Sequence, residues 1–265
     1  MPIKDNWFYE SLKESSSLTL KVDELLYQEQ SEYQEVLVFY NKDYGNVLVL
    51  DDALMLSDLD EHMYHKAITH YGVSNATQNK KLNVLVIGAG DGGVVRDLLS
   101  KHQEQINQVT MVEIDQAVID VSKKFFPKIS SHLNDARLDL KVEDALQYID
   151  KAADASFDLV ICDSTDPVGF AAGLIEEDFY KKIQRVLTKE GVFIAQSGSI
   201  FLMPEELETA QKNLKKVFAD VHTFFAPMMV YPGVIWSYTA AGAKIQNKEN
   251  LDLKEFIKEK QSINA

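Results

Sequence analysis

The sequence predicts an α/β protein: a small antiparallel β domain over residues 1–56, then a larger doubly wound domain over 57–265. In the first part, short Val- and Leu-rich runs alternate in polarity between turn residues, as half-buried strands do. From Ser57 the apolar spacing becomes helical. Beyond residue 82, strand-length apolar runs alternate with helical stretches, the pattern of a parallel sheet covered on both faces.

Taken in order, SLTLKV (17–22), QEVLVFYN (34–41) and YGNVLVLDDALML (44–56) are expected antiparallel strands, with NKDYGN (41–46) as turn chemistry between two of them. Leu59, Met63, Ala67, Ile68 and Tyr71 place a helix from about Ser57, with Asp58 and Asp60 favourable to its first turn. That helix is expected to couple the domains. After the polar stretch 75–81, LNVLVIGAGDGG (82–93) runs into the helix VVRDLLSKH (94–102). Then come strand 108–114, helix 117–126, strands 138–142, 157–163 and 191–196, and helical stretches such as 177–187. Ligands of such a sheet lie beyond the carboxyl ends of its strands. The tail 247–265 reads as a charged amphipathic helix.

The chain has 265 residues and a formal charge of −14. Phosphate-backbone binding relies on clustered Lys and Arg, so no nucleic-acid partner is expected. Acidity favours cationic partners weakly, and a soluble acidic protein accounts for it equally well. The single cysteine, Cys162, excludes an intrachain disulfide and reads as a small apolar strand residue. No apolar run approaches the ~20 residues that span a bilayer, and MPIKDNWFYE lacks a signal-peptide core. The expectation is a cytoplasmic protein with no membrane partner.

Gly88, Gly90 and Gly92 lie between a strand and a helix, where glycine allows a tight turn and close ligand approach. Glu113, at the end of the next strand, stands where a ribose hydroxyl partner is expected. The letters GAGDGG satisfy the dinucleotide pattern, so spacing alone does not choose the nucleoside. Asp91 does, because a carboxylate beside the turn repels pyrophosphate and welcomes a cation. This favours an S-adenosyl compound over NAD. Asp144 could accept from an adenine amine or cap the helix that follows it. Asp163 and Asp166 end the fourth parallel strand; they either build a local turn in STDP or, with Asp91, hold a compact cation or polyamine. Glu61, His62 and His65 have helical spacing that could hold a metal, but no third ligand motif accompanies them. No metal is expected, and Tyr64 and His65 are read as substrate contacts.

VLVIGAGDGG, MVEID, DSTDPVG and FIAQ, in this order, resemble the spermidine synthase family of polyamine aminopropyltransferases. The similarity runs from WFYE through YPGVIW, and SEYQEVLVF and DLDEHMYH look like its N-terminal and interdomain motifs. The resemblance implies a Rossmann-like, methyltransferase-type doubly wound sheet behind the small β domain, and commonly a homodimer. It implies aminopropyl transfer from decarboxylated S-adenosylmethionine, a co-substrate, to an amine, by default putrescine, with no further cofactor. By the same resemblance Gln34, Glu113, Asp144 and Ala145 hold the nucleoside, and Asp91 meets the aminopropyl ammonium. Tyr64, His65, Asp163, Asp166, Gln196 and Tyr231 line the acceptor channel, with Trp7 and Glu10 as further candidates. Asp163 matches the catalytic base.

Several positions depart from the family pattern. Met55 and Lys66 replace a usual Gln and Glu, Ala145 a usual Gly, and Phe170 a usual Pro; the C-terminal segment with paired tyrosines is missing. Apart from Ala145, these departures cluster around the amine channel, leaving cadaverine, agmatine or spermidine as alternative acceptors. A methyltransferase on the same fold and a catalytically silent polyamine-binding protein are the other readings. The sequence leaves open whether residues 164–177, a loop carrying Gly169 and Gly173, close over the site as a lid.

Overall fold

Period-two burial organises the N-terminal strands of the computed structural model, which describes residues 3–76, 80–165, 173–246 and 248. β1 (Ile3–Lys4), β2 (Trp7–Lys13) and β3 (Ser16–Lys21) form one antiparallel sheet, and β4 (Glu24–Gln30), β5 (Glu35–Asn41), β6 (Gly45–Leu50) and β7 (Ala53–Ser57) form a second. The stretch expected as a single strand over 44–56 is β6 and β7 folded back on each other. Asp51 and Asp52 both take positive φ (45° and 66°), making a two-residue hairpin turn whose twist matches the flanking strands. β2 and β4 are additional strands. In β2 only Phe8 is fully buried, so its apolar signal is thin.

α1 (Glu61–Asn75) begins later than the sequence pattern suggests, because Ser57 closes β7. Asp60, fully buried, does not cap the helix with its side chain. One of its carboxylate oxygens accepts from Ser57 Oγ at 2.7 Å and the other from the Val230 N–H at 2.9 Å, tying the helix start to a distant loop.

The remaining strands are β8 (Leu82–Gly88), β9 (Ile106–Glu113), β10 (Leu138–Val142), β11 (Phe157–Asp163), β12 (Leu187–Ser199), β13 (Asp220–Pro227) and β14 (Ile235–Gly242). They form one sheet in the order β10-β9-β8-β11-β12-β14-β13, parallel from β8 to β12 and closed by an antiparallel pair. The helices between are α2 (Gly93–Ser100), α3 (Gln116–Phe125), α4 (Ala145–Lys151), α5 (Glu177–Val186) and α6 (Pro204–Val217). Alternate residues of one strand enter opposite cores: Leu159 and Ile161 pack with α1 and α2, Val160 and Cys162 with α4, α5 and α6. Burial of both faces explains why the central strands β8 and β11 read as continuous apolar runs. The four-stranded sheet is likewise covered on two sides. Val36 and Val38 meet Val118 and Val121 of α3, while Leu37 and Phe39 join the core that includes Tyr64 and Ile68 of α1.

Asp166 and Phe170, in the middle of the 164–177 loop, and all but Lys248 of the expected tail helix lie outside the described residues. Among the described residues no helix is long and apolar enough to cross a membrane.

Candidate functional site

Strand order reverses between β8 and β11, and the crevice beyond their carboxyl ends is where doubly wound sheets bind ligands. There Asp163 pairs with Gly88, and the Ala89 N–H donates to the Asp163 carbonyl at 2.8 Å. Gly88 has φ of 78°, and a Cβ on it would lie 2.2 Å from that carbonyl oxygen, so only glycine fits. Gly93, which opens α2, has a different reason. A Cβ there would fall 2.2 Å from the His65 ring, so its absence lets α1 bring His65 against the glycine-rich turn.

A cavity of about 440 Å³ occupies the crevice, bounded by both N-terminal sheets, α1 and the ends of the central strands. Along one wall runs a line of alternating charges. Arg96 of α2 donates to both oxygens of Glu61 at 2.8 and 2.9 Å. Glu61 Oε2 lies 2.6 Å from His65 Nδ1, and His65 Nε2 lies 3.2 Å from Asp91 Oδ1. Asp91 Oδ1 also accepts from the Gly93 N–H at 2.6 Å. Burial opposes charging His65, but the carboxylates on its two nitrogens win and raise it to about 10. Glu61 is held well below its ordinary range by His65 and Arg96 in spite of burial. Asp91 is likewise kept ionised by His65 against the cost of burial.

Asp163 is different. Its Oδ1 accepts from the Tyr64 hydroxyl, while its Oδ2 is buried with no hydrogen-bond partner. Burial first, then the negative charge of Asp91, raise its carboxyl to about 7, although His65 and Tyr64 pull the other way. Such a group can take up a proton near neutrality. His65, Asp91 and Asp163 bring potential ligand atoms within 4.8 Å of one another, which invites a metal. With both ring nitrogens engaged by carboxylates, however, His65 is held as a cation without a lone pair to offer. Glu61, from the other metal-like spacing, has both oxygens occupied.

Farther along the crevice, Glu113 is buried at the end of β9, with Oε1 accepting the Asp115 N–H at 2.9 Å. Burial raises its carboxyl to about 7, and it faces Gly90, where a Cβ would approach Oε2 to 3.0 Å. Gln34 reaches the same wall and donates to Asp115 Oδ2 at 3.0 Å. Asp144 and Ala145 line the cavity as well, and Asp144 also fulfils its local role, capping α4 through the Leu146 N–H at 2.8 Å. Asp115 and Ser31, whose Oγ donates to Asp115 Oδ2 at 2.7 Å, support Gln34 and were not legible as a pair across the chain.

At the opposite end the walls are aromatic. Tyr231 meets Trp236 at 4.5 Å between ring centroids and Tyr64 at 5.8 Å, and its hydroxyl donates to the Met55 carbonyl at 2.6 Å. Gln196 and Glu10 also border the cavity. Trp7 does not; it is 42% exposed on the outer side of β2. Thus Gln34, Tyr64, His65, Asp91, Glu113, Asp144, Ala145, Asp163, Gln196 and Tyr231 surround one space.

Comparison with known proteins gives concordant matches. Residues 61–252 match the family described as "Spermine/spermidine synthase domain", and residues 6–58 the one described as "Spermidine synthase tetramerisation domain". The polyamine aminopropyltransferase of Thermoplasma volcanium is 38% identical over 93% of this chain and 89% of its own. That of Bacillus subtilis is 36% identical over 90% and 84%, respectively. Among solved structures, a spermidine synthase in complex with the transition-state analogue AdoDATO superposes with a TM-score of 0.87 at 28% identity, covering 99% of this chain and 97% of that one. The spermidine synthase of Thermotoga maritima gives 0.85 at 28% identity, covering 99% and 96%.

Proposed function

The chain belongs to the spermine/spermidine synthase family, the polyamine aminopropyltransferases, and from that premise we propose that it transfers an aminopropyl group from decarboxylated S-adenosylmethionine to putrescine. The observation that carries the reading is the buried, unpartnered Oδ2 of Asp163 beside ionised Asp91, a pair that wants organic cations.

In this reading Glu113 and Gln34 hold the ribose, Asp144 and Ala145 border the base, and Asp91 takes the donor's primary ammonium. The acceptor's reacting nitrogen lies between Tyr64, Tyr231 and Asp163, with Asp166 as a further contact. That nitrogen must be neutral to attack. It gives a proton to Asp163, its lone pair forms the new C–N bond, and the C–S bond breaks with its electrons going to sulfur. The sulfonium thereby becomes the neutral thioether of methylthioadenosine. Holding both reactants in line supplies much of the acceleration. Met55 serves through its backbone carbonyl, which orients Tyr231, so its departure from the family residue leaves that contact intact.

The match of residues 6–58 to a tetramerisation domain supports self-association. We propose an assembly built on homodimers, in the cytoplasm; native mass measurement distinguishes dimer from tetramer. The test of function is mass spectrometry of products formed from decarboxylated donor with putrescine, cadaverine, agmatine and spermidine. Amine-dependent release of methylthioadenosine, greatest with putrescine, is the expected result. Binding of intact S-adenosylmethionine but not its decarboxylated form would overturn it in favour of methyl transfer, and donor binding without turnover would favour a silent homologue.

A further inference from the structure

Two buried carboxylates meet in the crevice, and with His65 they bring ligand-type atoms within 4.8 Å of one another: Asp91 and Asp163. Carboxylates this close share a proton instead of both ionising, and nothing in the pair itself says which of them holds it. Their surroundings do. Asp91 Oδ1 accepts from the Gly93 N–H at 2.6 Å and faces His65 Nε2 at 3.2 Å. Asp163 accepts from the neutral Tyr64 hydroxyl on one oxygen, and its other oxygen has no partner among the described residues. A charged donor favours the anion more strongly than a neutral one, so the ionised state falls to Asp91.

That asymmetry lasts only while His65 is a cation. A neutral imidazole has one N–H and one lone pair, so with a carboxylate against each nitrogen only the cation donates to both. The second carboxylate is Glu61, whose Oε2 lies 2.6 Å from Nδ1. Glu61 is buried, and its charge is held by Arg96, which donates to both of its oxygens from behind the cavity wall. Arg96 is fixed in turn by Asp97, which accepts from its Nε at 2.9 Å. Among the described residues, the other titratable groups facing the pair are Tyr64 of α1, Tyr231, Tyr238 of β14 and Glu113 of β9. Burial raises the tyrosines well above their usual range, so they stay neutral, while Glu113 and Asp91 each oppose the other's charge.

We propose that Arg96 and Glu61 are positioning residues that hold His65 as a fixed cation and thereby divide the work of the carboxylate pair: Asp91 stays an anion for the donor's ammonium, and Asp163 is left to carry the proton. The inference rests on the aminopropyl-transfer reading and deepens it, since it assigns the protonation pattern on which that reaction depends.

The test reads the protons directly, by NMR of the ligand-free full chain labelled with carbon-13 at aspartate carboxyls and histidine rings, which leaves Glu113 silent. Signals are assigned by their loss in Asp91→Asn, Asp163→Asn and His65→Gln. In the parent protein His65 should stay charged through about pH 9, and Asp163, not Asp91, should titrate above about pH 5. In Glu61→Gln the amide donates to the Nδ1 lone pair of a neutral ring, so His65 should lose its charge below about pH 8, toward the ordinary ~6.5. The carboxyl titration should then spread over both aspartates and move to higher pH. Should Glu61→Gln fail to fold because Arg96 is left unpaired, Glu61→Gln combined with Arg96→Met removes both charges together and should give the same shifts. Asp91 titrating together with Asp163 in the parent protein, or His65 still charged at about pH 9 in these variants, would overturn the proposal. With substrates, the rising limb of kcat/KM for the acceptor should move up by roughly one pH unit in Glu61→Gln, so that the loss shrinks as pH rises. An equal loss at every pH, with the limb unmoved, would mean a merely structural role and would also defeat it. In a parent protein that releases no product, the NMR titration still decides how the protons are divided, and only the transfer reading falls.

Discussion

Replacing Asp163 by Asn preserves shape and the ability to accept the Tyr64 hydroxyl but removes the capacity to take a proton. The acceptor ammonium loses its proton near ~10, and an ordinary Asp is ~6 pH units below that, a feeble base. Burial and Asp91 raise Asp163 to about 7, which narrows the gap to ~3 and makes proton transfer about 4 kcal/mol less uphill. Removing such a base should lower kcat by roughly 10²–10⁴. Donor affinity should stay within roughly threefold, under ~1 kcal/mol, because the donor is held by other groups. Methylthioadenosine release measured chromatographically and donor titration by calorimetry read the two quantities separately. Since only ionised Asp163 accepts a proton, kcat/KM for the acceptor should rise with pH along a limb at or below 7, the donor's cations pulling it down. That limb should vanish in Asp163→Asn. Stability has the opposite sign. The unfolded Asp ionises near 3.8 and the folded one near 7, so stability of the ligand-free protein is lost as pH climbs between those values and is level above. Asp163→Asn should therefore melt higher than the parent protein at pH 8, with the difference shrinking toward pH 4. A fall in kcat smaller than about tenfold, or an equal loss of donor affinity, would refute the role of base.

Other perturbations test the supports of the site. Arg96→Met removes the bidentate cation from buried Glu61 and should cost about 3–5 kcal/mol in chemical denaturation at pH 7; a loss below ~1 would mean that His65 alone satisfies Glu61. Gly88→Ala forces a Cβ to 2.2 Å from the Asp163 carbonyl at a positive φ and should cost at least ~3 kcal/mol. Gly173→Ala, whose Cβ would meet, among the described residues, only Leu146 Cδ1 at 3.6 Å, is the control; comparable losses in both would remove the steric explanation. Donor binding at pH 7 should release a fraction of a proton as an arriving cation ionises Asp163, seen as binding enthalpies that depend on the buffer's ionisation heat; buffer-independent enthalpies would contradict it.

The parallel half of the fold was legible because its central strands bury both faces, while the half-buried edge strand β10 shows its alternation instead. Strands 138–142 and 157–163 emerge with the bounds their apolar runs suggest. The N-terminal half was less so. β2 carries a single fully buried side chain, and the β6–β7 hairpin turns on two aspartates in a conformation that their sequence only weakly advertises. α1 starts late because Asp58 and Asp60, attractive as first-turn residues, are used in other contacts: Asp58 Oδ2 accepts the Asn46 N–H at 2.8 Å, and Asp60 accepts from Ser57 and Val230. Long-range satisfaction of a buried carboxylate outweighs a local helix preference, and a pattern read along the chain does not register it.

The site residues were visible as types at strand ends; their wiring was not. Nothing in the spacing of Glu61, His65, Asp91 and Arg96 says that they form an alternating row of charges, since Gly93 must first let α1 approach α2. Once built, that row is self-neutralising: Arg96 answers Glu61, and His65 answers Asp91. Asp163 is left as the unmatched negative charge in a buried place, and for that reason its carboxyl rises to about 7. In the proposed reaction a cationic donor entering beside Asp91 would supply the missing charge, so that donor binding itself favours the ionised base that the acceptor needs. The order of events follows from electrostatics. Without the sulfonium and ammonium of the donor, Asp163 still holds its proton part of the time near neutrality; with them, in the proposed reaction, the carboxylate would be favoured where the acceptor's proton must go.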